Sequence, residues 1–293
     1  MKKIKNIIVS LFLVLLIAAS AGAQVKTLVY KGEKRKYIVY TPEAYTKDTL
    51  AFFPVVFNFH GGGMTMAEQM LYTQMNKTAD KHGFIVVYPK GIKEDWNVGF
   101  GMAYKSGTDD IGFIDSLLSN LKYNYRIDSK KVFATGLSRG GFFCHRIAAE
   151  LSDKFTAIAT VGALLPDSVA HYHQKKSEIG VMTVHGTDDQ IVNYKGKENA
   201  YYSAQATFEY WKKVNGTETA ESKKIIDKKK RDGTAVEIIE SRIGKKTVSL
   251  ITIVNGGHNW PGADEFNVGL PLGKTSSEIE LNEYMWFFFK TQK

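Results

Sequence analysis

Apolar positions along this chain fall into short dense runs separated by stripes of helical spacing. Pro54 to His60 and Phe84 to Tyr88 are nearly continuous apolar runs of strand length, suited to strands buried on both faces. Val132 to Thr135, Ala157 to Val161 and Val181 to His185 read the same way. Between them Ile111, Ile114, Leu118 and Leu121 recur at helical spacing, as do Phe143, Ile147 and Leu151, then Phe208 and Trp211. The pattern predicts helices over about Thr65 to Lys81, around Ile111 to Leu121, and over Gly140 to Leu151, Ser203 to Val214 and Ser277 to Phe289.

Before the first buried run, Thr27 to Tyr30 and Arg35 to Thr41 flank Lys31-Gly32-Glu33, which reads as an antiparallel hairpin. Val236 to Ser241 and Val248 to Val254 are late strands. Strands alternating with helices after an antiparallel start predict an α/β fold. Its sheet should be mostly parallel and doubly wound, with an antiparallel N-terminal edge. No internal repeat or linker-like segment interrupts residues 24–293, which read as a single domain.

The first residues stand apart. Lys2, Lys3 and Lys5 precede an apolar run from Ile7 to Ala19, and Ala21-Gly22-Ala23 supplies small residues at a cleavage position. Residues 1–23 therefore read as a secretory signal peptide cut before Gln24. The run is short for a bilayer span, and no cysteine follows it to carry a lipid. The mature protein is expected to be secreted, extracellular or periplasmic, and free of the membrane.

Cys144 is the only cysteine, so no intramolecular disulfide is possible, and a domain of this length needs none. The formal charge of +9 falls to +6 once the three leader lysines are removed. Much of the excess lies in Lys223, Lys224, Lys228, Lys229, Lys230 and Arg231. Glu221, Asp227 and Asp232 interrupt it, so the segment reads as a solvated helix-to-strand connection. Nothing resembles a nucleic-acid motif. Asn76-Lys77-Thr78 and Asn215-Gly216-Thr217 are glycosylation sequons where the source uses them.

Four segments carry chemistry. Gly136-Leu137-Ser138-Arg139-Gly140 is weak as a pentapeptide in a chain with 26 glycines, but a β run precedes it and a helical stripe follows. A sharp strand-to-helix turn holds a serine hydroxyl exposed beside a base, as a nucleophile requires. His60-Gly61-Gly62-Gly63 follows an apolar strand and can aim a backbone N–H at a developing oxyanion. Gly62 is the expected first donor, with Gly63 behind it, and Arg139 the second. His60 is expected to brace the loop.

Chain order in such sites runs serine, acid, histidine. Of seven histidines only His258 lies beyond His185, inside the tight loop Asn255-Gly256-Gly257-His258-Asn259-Trp260-Pro261-Gly262. The acid should end a strand between them. Gly186-Thr187-Asp188-Asp189 follows such a strand, and spacing does not choose between the two aspartates. His171 and His173 lack an evident third metal ligand, Cys144 reads as packing, and Asp109 and Asp110 as helix caps.

Taken together, the motifs resemble the secreted carboxylesterases grouped as polyhydroxybutyrate depolymerase-like and feruloyl or acetyl-xylan esterases, of the α/β-hydrolase fold. The likeness rests on His60-Gly61-Gly62, Trp96-Asn97, Asp109-Asp110-Ile111-Gly112-Phe113, the segment from Gly136 to Gly141, His185-Gly186-Thr187-Asp188-Asp189 with Val192, and Gly257 to Gly262. It covers nearly all of the mature chain. It implies that Asp189 is the acid, and that Trp96, Asn97 and Trp260 line the substrate cleft. The paired cysteines that many relatives carry near the tryptophan and the nucleophile are missing here.

The implied activity is acyl-enzyme hydrolysis by Ser138, Asp189 and His258 without metal or cofactor. The implied substrate is a feruloyl or acetyl ester of plant cell-wall polysaccharide. Poly(3-hydroxyalkanoate) depolymerisation is the first alternative. A serine peptidase and an inactive carbohydrate-binding or surface protein are the others.

Overall fold

A computed structural model of the chain describes residues 22–174, 177–218, 221–229, 231–244, 246–264 and 270–292. Most of the expected leader lies outside the described residues.

The elements run, in chain order, β1 (Gly22–Tyr30), β2 (Glu33–Thr41), α1 (Glu43–Lys47), β3 (Phe53–Phe59), α2 (Met66–Thr73), α3 (Met75–His82), β4 (Ile85–Pro89) and α4 (Asp110–Asn124). They continue with β5 (Ile127–Leu137), α5 (Arg139–Glu150), β6 (Ala157–Val161), α6 (Asp167–Tyr172), β7 (Gly180–Gly186) and α7 (Ala204–Asn215). The last four are β8 (Glu221–Ile226), β9 (Ala235–Ile243), β10 (Lys246–Val254) and α8 (Leu281–Thr291).

The ten strands of the described residues form one sheet, in the order β1-β2-β4-β3-β5-β6-β7-β10-β9-β8. From β4 to β10 every neighbour is parallel. β1 and β2 pair antiparallel at one edge, as the hairpin pattern predicts. β9 and β8 add a second antiparallel edge.

Every residue of β4, β6 and β7 is buried, which is why their sequences show dense runs rather than alternation. β5 shows how the sheet divides the core. Val132 and Ala134 face the layer containing α4, α5 and α7, while Phe133 faces the layer of α3 and α8, where it stacks on Phe289. The doubly wound α/β arrangement expected from the alternation is therefore present.

Several local expectations need correction. The helix predicted over Thr65 to Lys81 is two helices, because Gln74 adopts φ +48° and ends α2. The break follows a buried polar knot in which Asn58 donates to Thr73 and accepts from Gln69, contacts invisible in hydropathy. The last helix starts at Leu281, not Ser277, because Asp232 takes the Ser277 N–H and hydroxyl. Lys223 and Lys224 stand in an exposed edge strand, β8, rather than in a loop connection, and Lys223 pairs with Glu237 of β9 at 3.1 Å. Lysines along an edge strand discourage pairing with another chain. Asn215, the first residue of one sequon, is buried and its amide grips both backbone groups of Ile179, which leaves no room for a glycan.

Candidate active site

β5 delivers the chain to Leu137 and α5 begins at Arg139, so one residue makes the whole turn. That residue, Ser138, has φ 52° and ψ −119°, backbone geometry that costs a non-glycine residue of order 1–3 kcal/mol. The turn is held by the Ser138 N–H donating to Val161 O at 2.8 Å and by the Phe142 N–H donating to Ser138 O at 2.9 Å. Side chains would not fit beside it. A Cβ at Gly140 would lie 2.3 Å from Phe59 O, and one at Gly136 would lie 2.5 Å from the Gly140 carbonyl carbon. Both glycines of the pentapeptide thus let α5 pass close over β3 and β5.

The Ser138 turn opens into a cavity of about 590 Å³, which Gly61, Gly62, Gly63, Arg139 and His258 also line. Most remaining walls are apolar: Met64, Phe100, Phe142, Ile191, Val192, Tyr201, Leu270 and Leu272 among them. The volume falls within the range of small-molecule sites.

His258 sits in a loop fixed by its own backbone, its N–H donating to Leu272 O at 2.6 Å. Its Nδ1 lies 2.7 Å from Asp189 Oδ2, and both side chains are almost wholly buried. Asp189 Oδ1 accepts the N–H groups of Ile191 (2.9 Å) and Val192 (2.7 Å). Burial pushes the Asp189 carboxyl upward, but the hydrogen bond and charge of His258 outweigh it and hold the group below the usual carboxylate value. Asp188 is exposed, and its carboxylate accepts from its neighbour Thr187. Geometry thus separates the two aspartates that spacing left open. An ionised carboxylate on Nδ1 selects the tautomer whose free Nε2 can accept a proton.

In the glycine loop after β3 the Gly63 N–H is spent on Glu94 O at 2.9 Å. Gly62, the other expected donor, lines the cavity together with Arg139, the first residue of α5. His60 braces the loop. Its Nδ1 lies 2.8 Å from Gly61 O, its Nε2 accepts the Gly91 N–H at 2.9 Å, and its carbonyl accepts the Trp96 indole N–H at 3.0 Å.

Three expected cleft residues do not line this cavity. Trp96 is fully buried, stacked on Phe143 and edge-on to Phe59. Asn97 is buried too, its amide donating to Ala103 O and Thr108 O while its N–H donates to Asp110. The Asn97 side chain ties residues 97–108 together, while the Trp96 ring packs on β3, α5 and the His60 loop. Trp260 is buried with its indole N–H on Asn282 and its backbone N–H on the Tyr72 hydroxyl, and Tyr72 reaches the cavity instead.

Arg139 does more through its side chain than the sequence suggests. Its guanidinium grips both Asp95 oxygens (2.6 and 3.1 Å), Trp96 O (2.7 Å) and Phe100 O (3.2 Å). That fixes the loop carrying the cavity wall Phe100. A second residue the sequence reading missed is Gly162, which follows β6 at φ +57° beneath the His258 ring. A glycine directly after a buried strand was its available signal.

His171 lies exposed at the end of α6, and His173 Nδ1 is 2.7 Å from the Tyr210 hydroxyl. Among the described residues no group of three or more His, Cys, Asp or Glu is placed to hold a metal ion. No described helix is long and apolar enough to cross a membrane.

Comparison with known proteins gives the site a context. The sequence family described as Esterase PHB depolymerase matches residues 35–194. A bifunctional acetylxylan esterase/xylanase of Neocallimastix patriciarum is 28% identical over 170 residues, covering 57% of this chain and 23% of its own length. Feruloyl esterase B of Piromyces equi is 27% identical over 238 residues, covering 76% of this chain and 42% of its own. The chain thus spans less than half the length of these two relatives. Among solved structures, an acetyl xylan esterase from Aspergillus awamori superposes with a TM-score of 0.62 at 18% identity, covering 90% of this chain and 98% of that one. At that identity the likeness speaks for the fold, which is the α/β-hydrolase fold.

Proposed function

The chain belongs to the family described as Esterase PHB depolymerase, and from that membership we propose that it is an exported serine carboxylic-ester hydrolase acting on feruloyl or acetyl esters of plant cell-wall polysaccharide. One observation carries the reading. A serine in a strained strand-to-helix turn shares a cavity with a histidine whose Nδ1 lies 2.7 Å from a buried carboxylate.

Ser138 attacks the ester carbonyl as His258 takes its proton. The N–H groups of Gly62 and Arg139 hold the oxyanion, each contributing roughly 3 kcal/mol. The alcohol leaves with the proton from His258. Water, activated by the same imidazole, then attacks the acyl-enzyme, and the acid departs as Ser138 regains its proton. Asp189 stabilises the imidazolium in both halves.

The cavity supports an aromatic acyl group over acetyl. Its walls are mostly apolar, and an acetyl group would leave most of the 590 Å³ unfilled. The relatives named for feruloyl and acetylxylan esters agree with a cell-wall substrate.

The test is hydrolysis of methyl ferulate, p-nitrophenyl acetate, acetylated xylan and a poly(3-hydroxybutyrate) suspension by the mature chain and its Ser138→Ala variant. Ferulate or xylan turnover that the variant loses supports the proposal. Clearing of the polymer alone would make the protein a depolymerase. Absence of serine-dependent turnover on every substrate would make it a binding protein.

A further inference from the structure

His185 is the penultimate residue of β7, and its side chain is wholly inaccessible. Its Nε2 lies 2.8 Å from Val192 O and 3.4 Å from Asp189 Oδ2. A carbonyl oxygen only accepts, so Nε2 carries the proton. Burial pushes this imidazole down to about 4, which keeps the ring neutral at working pH.

Val192 is therefore gripped at both ends. Its N–H donates to Asp189 Oδ1 at 2.7 Å, and its carbonyl accepts from His185. The two side chains close the 189–192 turn like a clasp, with the second Asp189 oxygen left to face His258. The same turn carries Ile191 and Val192 into the cavity wall.

We propose that His185 is a positioning residue for the reaction. As a neutral Nε2–H donor it locks the 189–192 turn, and so fixes the Asp189 carboxylate in the rotamer that orients His258. The assignment rests on the triad reading above. His185 touches no substrate and transfers no proton. It acts wholly through Asp189.

The chemistry predicts which replacements work. Leucine has no donor, so Val192 O loses its partner and the carboxylate is freed to turn. Glutamine places an amide N–H near the reach of Nε2 and restores the clasp. Misplacement of a catalytic group by an ångström costs about a hundredfold. His185→Leu should therefore lose about a hundredfold in kcat on p-nitrophenyl acetate, whose small acyl group leans little on Ile191 and Val192, with KM for that ester within about twofold. His185→Gln should recover most of that loss.

The experiment is a double-mutant cycle with p-nitrophenyl acetate, kcat and KM measured for wild type, His185→Leu, His185→Gln, Asp189→Asn and His185→Leu/Asp189→Asn. Thermal unfolding of each variant is followed in parallel. If His185 works through Asp189, adding His185→Leu to Asp189→Asn changes kcat by less than about threefold. The same hundredfold loss in both backgrounds, or no rescue by glutamine in a folded protein, overturns the proposal. Should His185→Leu fail to fold, the glutamine variant carries the test, since it keeps the donor and the polarity. Unchanged activity in Asp189→Asn would sink the triad reading instead, a distinct outcome.

Discussion

Gly162 lies directly beneath the imidazole of His258. A Cβ on residue 162 would fall 2.8 Å from His258 Cε1 and 2.9 Å from Nδ1, and the backbone there already has φ +57°. The ring therefore rests on main chain at the end of β6, while Asp189 holds its Nδ1. Alanine at 162 would have to displace the ring and tolerate left-handed backbone that costs roughly 1–2 kcal/mol. Gly162→Ala should lower kcat by about a hundredfold while the protein stays folded. Steady-state kinetics with circular dichroism checks this, and near-normal kcat would show that the ring has another seat.

The two adjacent aspartates should respond very differently. Asp189→Asn replaces the carboxylate on His258 Nδ1 with an amide and should cost about four orders of magnitude in kcat. Asp188 is exposed and its carboxylate accepts from neighbouring Thr187, so Asp188→Asn should stay within about threefold of wild type. The reverse order would move the acid to Asp188.

Much of this was legible in the sequence because it is written in local chemistry. The elbow around Ser138 and the glycine loop at His60 are short segments whose residue types dictate backbone geometry. His258 followed from chain order. The choice of Asp189 came from resemblance; its contact with His258 depends on the 189–192 turn, which no spacing rule reveals. The cleft residues were the main failure. Trp96, Asn97 and Trp260 do sit near the motifs, but their side chains are buried and none lines the cavity beside Ser138. The actual walls, such as Phe100 and Tyr201, come from segments placed by long-range contacts like that between Arg139 and Asp95. Likewise β8 pairs by register with β9 despite its lysines, so composition concealed a strand.

Two buried histidines should make stability fall with acid. Burial lowers His145 to about 3 and His185 to about 4, both below the ordinary imidazole value. The unfolded chain then binds more protons than the folded one below pH ~6.5. The stabilisation from keeping these rings neutral is complete above that value. It drains as pH falls through the window toward the folded values. His145 sits on α5 with its Nδ1 accepting the Trp211 indole N–H at 3.1 Å, away from the triad turn. Melting temperature measured from pH 7 to 4.5 should fall less steeply in His145→Gln than in wild type, whatever the variant's stability at pH 7. Parallel slopes would mean that His145 takes no part.

Arg139 offers a way to separate binding from chemistry. Its backbone N–H is the proposed oxyanion donor, and a side-chain replacement leaves that group in place. Its guanidinium, though, grips the 95–100 loop through a two-pronged contact with Asp95 and two carbonyls. Lysine keeps the charge but is a point donor and cannot reproduce the fork. Losing one or two charge-assisted bonds, about 2 kcal/mol, should loosen Phe100 and the wall it forms. Substrates that fill the cavity should feel this most. Arg139→Lys is therefore expected to raise KM for methyl ferulate roughly tenfold while kcat on p-nitrophenyl acetate changes little. An acetyl group makes few contacts with that wall, so its turnover reports the oxyanion donors alone. Equal losses in kcat on both esters would mean that the side chain supports the elbow itself. In that case the guanidinium would be holding Ser138 and not the acyl cavity.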